Sequence, residues 1–271
     1  MLRTLLTAAL IGSSVALLGS VSAGGDVREI GFAESMSPRA LGPIRRDMTV
    51  VAELDSSSSR YLRGATLSDY RDGRWSGSIA RPPVHSAGAR AAGDKTRVAI
   101  VDHPEAYFLP AGAVVEAEER DHEGRRVLYF REGEPREGFD SRDLEIADEL
   151  RERLRPIAER LAGGGDARER AERLRVRLAS EKRYQLDFTA PPGVDATVYF
   201  LEEAEGGHCE LFASAYVLLL RSIGIPARVV TGYVLSDEDA SSGRWLARKG
   251  DAHAWAEVYV DGGYHPADPT P

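Results

Sequence analysis

The chain has 271 residues, 42% of them apolar and 29% charged, a balance that excludes collagen-like, coiled-coil and wholly disordered chains. Asp and Glu outnumber Lys and Arg by 43 to 35, and a net charge of −8 with no basic block excludes gripping a phosphate backbone, so no nucleic-acid partner is expected. The single cysteine, Cys209, rules out an intrachain disulfide framework and any Cys-rich metal site. The six histidines are scattered without paired metal spacing, so neither a metal nor an organic cofactor is expected.

The amino terminus reads as an address. Arg3 precedes an uncharged run from Leu5 to Leu18, which ends in Val21-Ser22-Ala23, the tripartite order of a secretory signal peptide. Residues 5–21 also sit at the short limit of a membrane anchor, since a spanning helix needs about 20 residues. Both readings of residues 1–23, signal peptide or anchor, export the rest of the chain to the periplasm, the cell surface or the medium. Residues 24–47 carry Gly, Ser, Pro and Arg without periodicity and form a lead-in segment.

Residues 48–140 contain short runs rich in β-branched and aromatic residues, split by turn residues. Strands are predicted at Thr49–Leu54, Tyr61–Thr66, Arg97–Val101, Ala106–Leu109, Val114–Glu118 and Arg126–Phe130, giving a small β-rich, sandwich-like domain. Residues 81–95 read as a loop by composition. The period then changes. Leu144, Ala147, Leu150, Leu154, Ile157, Ala158 and Leu161 step by three and four, predicting a helix capped by Asp140 or Ser141 and kinked or divided at Pro156. Gly163-Gly164-Gly165 ends it, and Asp166 caps a second helix with Ala167, Ala171, Leu174 and Leu178 on one face. The boundary between the two parts falls near residue 140, so residues 141–271 form a second unit.

Two later blocks carry chemistry. From Glu210 to Ile223 apolar residues cover nearly every direction, which predicts a helix buried on all sides, stopped by Gly224 and Pro226. Cys209 opens that helix behind Gly206-Gly207, where unpaired backbone N–H groups and the helix dipole favour a thiolate and could hold an oxyanion. A lone cysteine is more often a small core hydrophobe, but its place at a Gly-Gly-His-Cys turn argues against that. In the second block, Ala254, Ala256, Val258 and Val260 alternate with His253, Trp255, Glu257 and Tyr259, which predicts a strand. A two-residue Asp261-Gly262 turn would pair Val260 with Gly263 and place Asp268 diagonally across from His253. The plainer alternatives are a hydrogen-bonded strand histidine and a turn-forming Asp268-Pro269. Read together, a helix-start thiol, a strand imidazole and an aspartate fixing its tautomer form a nucleophile, a base and an orienting group.

The stretches GGHCELFASAYVLLLRSIGIPARVVTGY and DAHAWAEVYVDGGYHPADPT closely resemble the transglutaminase-like superfamily of bacterial thiol enzymes, from about residue 143 to the end. Tyr61-Leu62-Arg63-Gly64 and Tyr70–Trp75 resemble the extracytoplasmic part of transglutaminase-like membrane proteins. The resemblance implies an α+β, papain-like core in which a helix bearing Cys packs on an antiparallel sheet bearing His and Asp. It places the nucleophile at Cys209, the base at His253 and the third member at Asp268. His208 stands where an aromatic residue is usual, and Tyr264 where Trp is usual. The upstream oxyanion side chain is unassigned, with Glu203 and Tyr199 nearby, and the chain stops directly after the Asp motif, which leaves the core's last strands open to truncation. The implied activity is acyl transfer through a Cys209 thioester from a protein or peptide amide, of transglutaminase or protease type. The alternative is a non-catalytic surface or scaffold protein with a vestigial site. A third reading puts function in exposed aromatics such as Tyr70 and Trp75, which core packing explains more simply.

Overall fold

The computed structural model describes residues 33–39, 47–56, 59–83, 95–133, 138–235 and 237–271. The amino-terminal segment lies outside these residues, as do most of the lead-in segment and of the loop expected at 81–95. The strands are β1 (Ser35–Met36), β2 (Val50–Leu54), β3 (Tyr61–Arg71), β4 (Arg74–Ile79), β5 (Thr96–Ile100), β6 (Val114–Arg120) and β7 (Arg126–Arg131) in the first half. A 3₁₀ turn at Ser141–Leu144 leads to helices α1 (Asp148–Ala162) and α2 (Ala167–Glu181), strand β8 (Arg183–Tyr184), helix α3 (Ala196–Glu202), strand β9 (Gly206–Gly207) and helix α4 (Cys209–Ser222). Strands β10 (Ala227–Val234), β11 (Asp237–Asp239), β12 (Arg244–Arg248), β13 (Ala252–Val260) and β14 (Gly263–Ala267) complete the chain.

The architecture is α+β, with antiparallel main sheets, as the sequence predicts. The first sheet runs β1-β4-β3-β10-β13-β14 and the second β11-β12-β2-β5-β7-β6. Both sheets cross the boundary expected near residue 140. Strand β10 pairs with β3, and β12 pairs with β2. Residues 48–140 therefore do not close a sandwich of their own; they supply strands to sheets completed by the second half. Periodicity shows that a segment is a strand but not which edge it will meet, because that edge comes from elsewhere in the chain.

Local signals explain most elements. Asp166 and Glu169 form a reciprocal capping box at the start of α2. Asp140 caps the 3₁₀ turn rather than a long helix, and α1 begins only at Asp148. Pro156 does not divide α1, which runs through it to Ala162; the proline costs one backbone bond, and Leu154, Ala158 and Leu161, all buried, hold the helix against the core. Ala106–Leu109 forms no strand and contributes only a bridge from Leu109 to Arg63, its apolar side chains filling the second core.

Every residue of α4 from Leu211 to Ser222 is buried, as its all-round apolar pattern requires. The helix packs on β13 and β10 below and against α1, α2 and α3 around it. Ala254, Ala256 and Val258 of β13 join Phe212, Tyr216 and Leu219 in that core. Burying each such large side chain contributes about 1.5–3 kcal/mol. Polar members of α4 are paired. Trp75 Nε1 donates to Ser214 Oγ at 2.9 Å, and Arg221 donates to the carbonyls of Ala227, Ser68 and Glu145 and to Asp143. Desolvation lowers the Arg221 pKa to about 10, with Asp143 opposing, and burial raises that of Asp143. This enclosed pair ties the 3₁₀ turn to the helix that carries Cys209.

Candidate active site

Cys209 is the first residue of α4, and His208 is its N-cap, extended at φ −100° and ψ 174°. The Leu211 and Phe212 N–H groups donate to the His208 carbonyl. The first N–H groups of a helix find no acceptor within the helix itself. Cys209 is only 3% exposed, more enclosed than its place at a helix-start turn predicts. His208 is fully buried and meets Phe188 edge-on at 6.1 Å, so it packs as the aromatic residue it replaces. Desolvation, against the Pro38 backbone, lowers its pKa to about 4 and keeps it neutral.

The turn approaches β8 closely. Arg183 lies opposite Gly206 and Tyr184 opposite Gly207 in a short parallel ladder. A Cβ on Gly206 would sit 2.1 Å from the Arg183 carbonyl oxygen, so only glycine permits this approach.

His253 lies on β13, and Asp268 follows β14. The hairpin is the predicted one: Asp261 and Gly262 have φ of 52° and 83°, as a two-residue turn of the primed type demands, and Val260 pairs with Gly263. Continuing that register sets Asp268 diagonal to His253, and His253 Nε2 lies 2.7 Å from Asp268 Oδ2. This leaves Nδ1 as the ring nitrogen available to the thiol. Desolvation pulls the His253 pKa down, but hydrogen bonds and charge from Asp268 and Cys209 outweigh it and raise the value to about 10. Burial pushes Asp268 up, yet His253 and Thr270 hold its carboxyl below the usual range. The structure thus brings Cys209, His253 and Asp268 into one electrostatically coupled group.

Further residues complete the surroundings. Tyr61 Oη donates to Asp268 Oδ2 at 3.0 Å, the Thr270 N–H donates to Asp268 Oδ1 at 2.9 Å, and Arg175 Nη1 donates to the Asp268 carbonyl at 3.2 Å. The Trp255 ring stacks on His253 at 15° and 6.3 Å, and meets Tyr61 at 5.1 Å. Tyr184 is raised to about 12, by desolvation first and then by the charges of Cys209 and Asp268, which puts its phenol in the same neighbourhood. None of Tyr61, Arg175 and Tyr184 carries a local sequence signal for this role; they arrive from β3, α2 and β8. Of the two upstream candidates, Tyr199 packs on Phe188 and Glu203 is exposed to solvent. Tyr264 is buried, donates to Asp143 and lies under the Arg228 guanidinium at 3.9 Å. Tyr70 and Trp75 pack on each other at 4.8 Å and join the core rather than a binding surface.

Comparison with known proteins agrees with this fold. Residues 155–269 match the transglutaminase-like superfamily, and residues 4–138 match the TgpA N-terminal domain. The chain is 30% identical over 154 residues to the uncharacterized protein YebA of Bacillus subtilis, covering 54% of this chain and 21% of that one. It is 39% identical over 83 residues to a protein-glutamine gamma-glutamyltransferase of Pseudomonas aeruginosa, covering 30% of this chain and 12% of that one. The chain spans about a fifth or less of the length of these curated relatives. The crystal structure of the periplasmic domain of TgpA from Pseudomonas aeruginosa superposes with a TM-score of 0.66 at 22% identity, over 88% of this chain and 93% of that one. An ethylmercury-bound form of the same domain gives the same TM-score over 96% of its length. That likeness is one of fold. The two family matches lie between residue 4 and residue 269, and residues 155–269 form a transglutaminase-like core domain.

Proposed function

We propose that the protein is an extracytoplasmic thiol acyltransferase acting on the side-chain amide of glutamine in a protein or peptide. The observation that carries this reading is the His253–Asp268 pair at 2.7 Å, electrostatically coupled to a cysteine at the first turn of a buried helix. Cys209 Sγ attacks the carboxamide carbon while its proton is held by His253, whose raised pKa of about 10 keeps the ring an imidazolium at neutral pH. The resulting oxyanion is met by backbone N–H groups at the start of α4. The imidazolium protonates the amide nitrogen, and collapse breaks the C–N bond, releasing ammonia and leaving a Cys209 thioester. A primary amine then loses a proton to His253 and attacks the thioester carbon. The C–S bond breaks, the thiol is reprotonated and an isopeptide bond remains; water in place of the amine yields glutamate. Peptide-bond cleavage would follow the same steps with a different amide. The glutamine reading is supported by the relative named a protein-glutamine gamma-glutamyltransferase.

Placement outside the cytoplasm rests on the order of residues 1–23 and on the likeness to a periplasmic domain. Among the described residues no helix is long and apolar enough to cross a membrane.

Mass spectrometry after chloroacetamide treatment tests the chemistry whatever the physiological substrate is. Wild-type Cys209 is expected to label at neutral pH about 100-fold faster than Cys209 in His253→Ala, the scale of a lost general base. Equal rates in the two proteins would remove the thiol-enzyme reading.

A further inference from the structure

Strands β8 and β9 form a two-stranded sheet of their own. The Arg183 N–H donates to the Glu205 carbonyl at 3.0 Å, and the Gln185 N–H donates to the Gly207 carbonyl at 2.9 Å. In a parallel ladder of this register, alternate residues face the partner strand. The N–H and C=O of Tyr184 therefore point the other way, along an edge that no other strand pairs with among the described residues. An unpaired edge is a template for another extended chain. This one is flanked by side chains that soluble proteins usually cover, Tyr184 at 47% exposure and Leu186 at 42%. It is also continuous with the candidate site, because Tyr184 lies opposite Gly207, two residues before Cys209.

The geometry points to a peptide-binding site on the outer edge of β8. The occupant is the amide-bearing segment of the acyl donor in extended form, hydrogen-bonded to the Tyr184 N–H and C=O, with apolar side chains laid against Tyr184 and Leu186. Main-chain bonds of this kind supply affinity, and alternate side chains supply selectivity. The inference rests on the acyl-transfer reading and narrows its substrate: strand addition needs free backbone groups, so the donor amide lies in an unpaired loop or tail and not on a helix. The short edge, with the exposed Arg183 beside it, does not template unlimited pairing.

The test compares chloroacetamide with a hexapeptide that carries the same chloroacetamide on a central side chain. Each protein's labelling rate with the peptide is divided by its own rate with the free reagent. For wild type this ratio is expected to exceed one by about tenfold or more, the value of one or two main-chain hydrogen bonds. Tyr184→Ala removes the ring but keeps the N–H, and retains most of the advantage. Tyr184→Pro removes the outward donor and no ladder bond, and loses it. Single N-methylation along the peptide, read on the wild-type protein, requires no folded variant; alternate positions are expected to abolish the advantage. A flat methylation scan with equal ratios in the Ala and Pro variants overturns the peptide edge while leaving the thiol chemistry standing. Labelling that slows as protein concentration rises, with dimers in ultracentrifugation, assigns the edge to a second copy and also overturns it. Absence of His253-dependent labelling by either reagent removes the acyl-transfer reading and this site with it.

Discussion

Replacing Asp268 with Asn changes one charge and almost no volume, yet every acceptor around the carboxylate has a defined donor. Oδ1 accepts from the Thr270 backbone N–H, and Oδ2 accepts from Tyr61 and faces His253 Nε2. The Thr270 donor cannot turn into an acceptor, so the Asn oxygen occupies its side and the Asn amide takes the place of Oδ2. There it meets His253, whose Nε2 must then accept, and the ring proton moves to Nδ1. A protonated, neutral Nδ1 cannot take the thiol proton. The structure bounds the size of the effect. A hydrogen bond to a charged group at 2.7 Å contributes about 1.5–3 kcal/mol. At about 1.4 kcal/mol per decade, chloroacetamide labelling of Cys209 at neutral pH falls about 10- to 150-fold in Asp268→Asn. In the variant the rate climbs with pH towards wild type, because hydroxide replaces the imidazole as the proton acceptor. The assay is a labelling time course by mass spectrometry from pH 5 to pH 10, at matched thermal stability. Equal rates at every pH would refute the assignment and leave Asp268 as a turn former before Pro269.

Stability should carry the same signature. The folded pKa of His253 is raised from 6.5 to about 10, so its contribution is complete below pH 6.5 and is lost as pH rises towards 10. That of Asp268 is lowered from 3.8, so its contribution is complete above 3.8 and is lost as pH falls below it. The difference in urea midpoint between wild type and Asp268→Asn is therefore expected to peak between about pH 4 and 6.5 and to shrink at both ends; a flat difference from acid to alkaline pH would contradict this. Gly206→Ala would drive a Cβ into the Arg183 carbonyl, which is backbone and cannot swing aside; unfolding in urea should show a loss of about 1–3 kcal/mol, together with slower Cys209 labelling. Arg221→Met leaves Asp143 buried without its cation and should cost about 3–5 kcal/mol, whereas Arg221→Met with Asp143→Leu should recover much of it. Urea titration of the three proteins decides whether that pair acts as a unit.

Much of the site was legible because its pieces are local. The turn at Asp261-Gly262 sets hairpin parity over a short stretch of chain, so the His253–Asp268 diagonal follows from sequence spacing once the turn has two residues, as it does here. The all-round apolar pattern of Leu211–Ser222 likewise announces a buried helix with Cys209 at its head. The Asp166 cap and the Gly163 stop are decided by neighbours within about one helical turn. What the tertiary structure decided is long-range. Tyr61 reaches Asp268 across 207 positions because β3 pairs with β10, which pairs with β13. Tyr184 reaches the nucleophile turn because Gly206 admits β8. Both sheets draw strands from both halves of the chain, since an unpaired strand edge is satisfied by whichever strand lies beside it in space, and sequence period carries no record of that neighbour. The burial of Cys209 has the same origin: it belongs to a core cluster drawn from elements that are distant in sequence and meet only once the chain has folded.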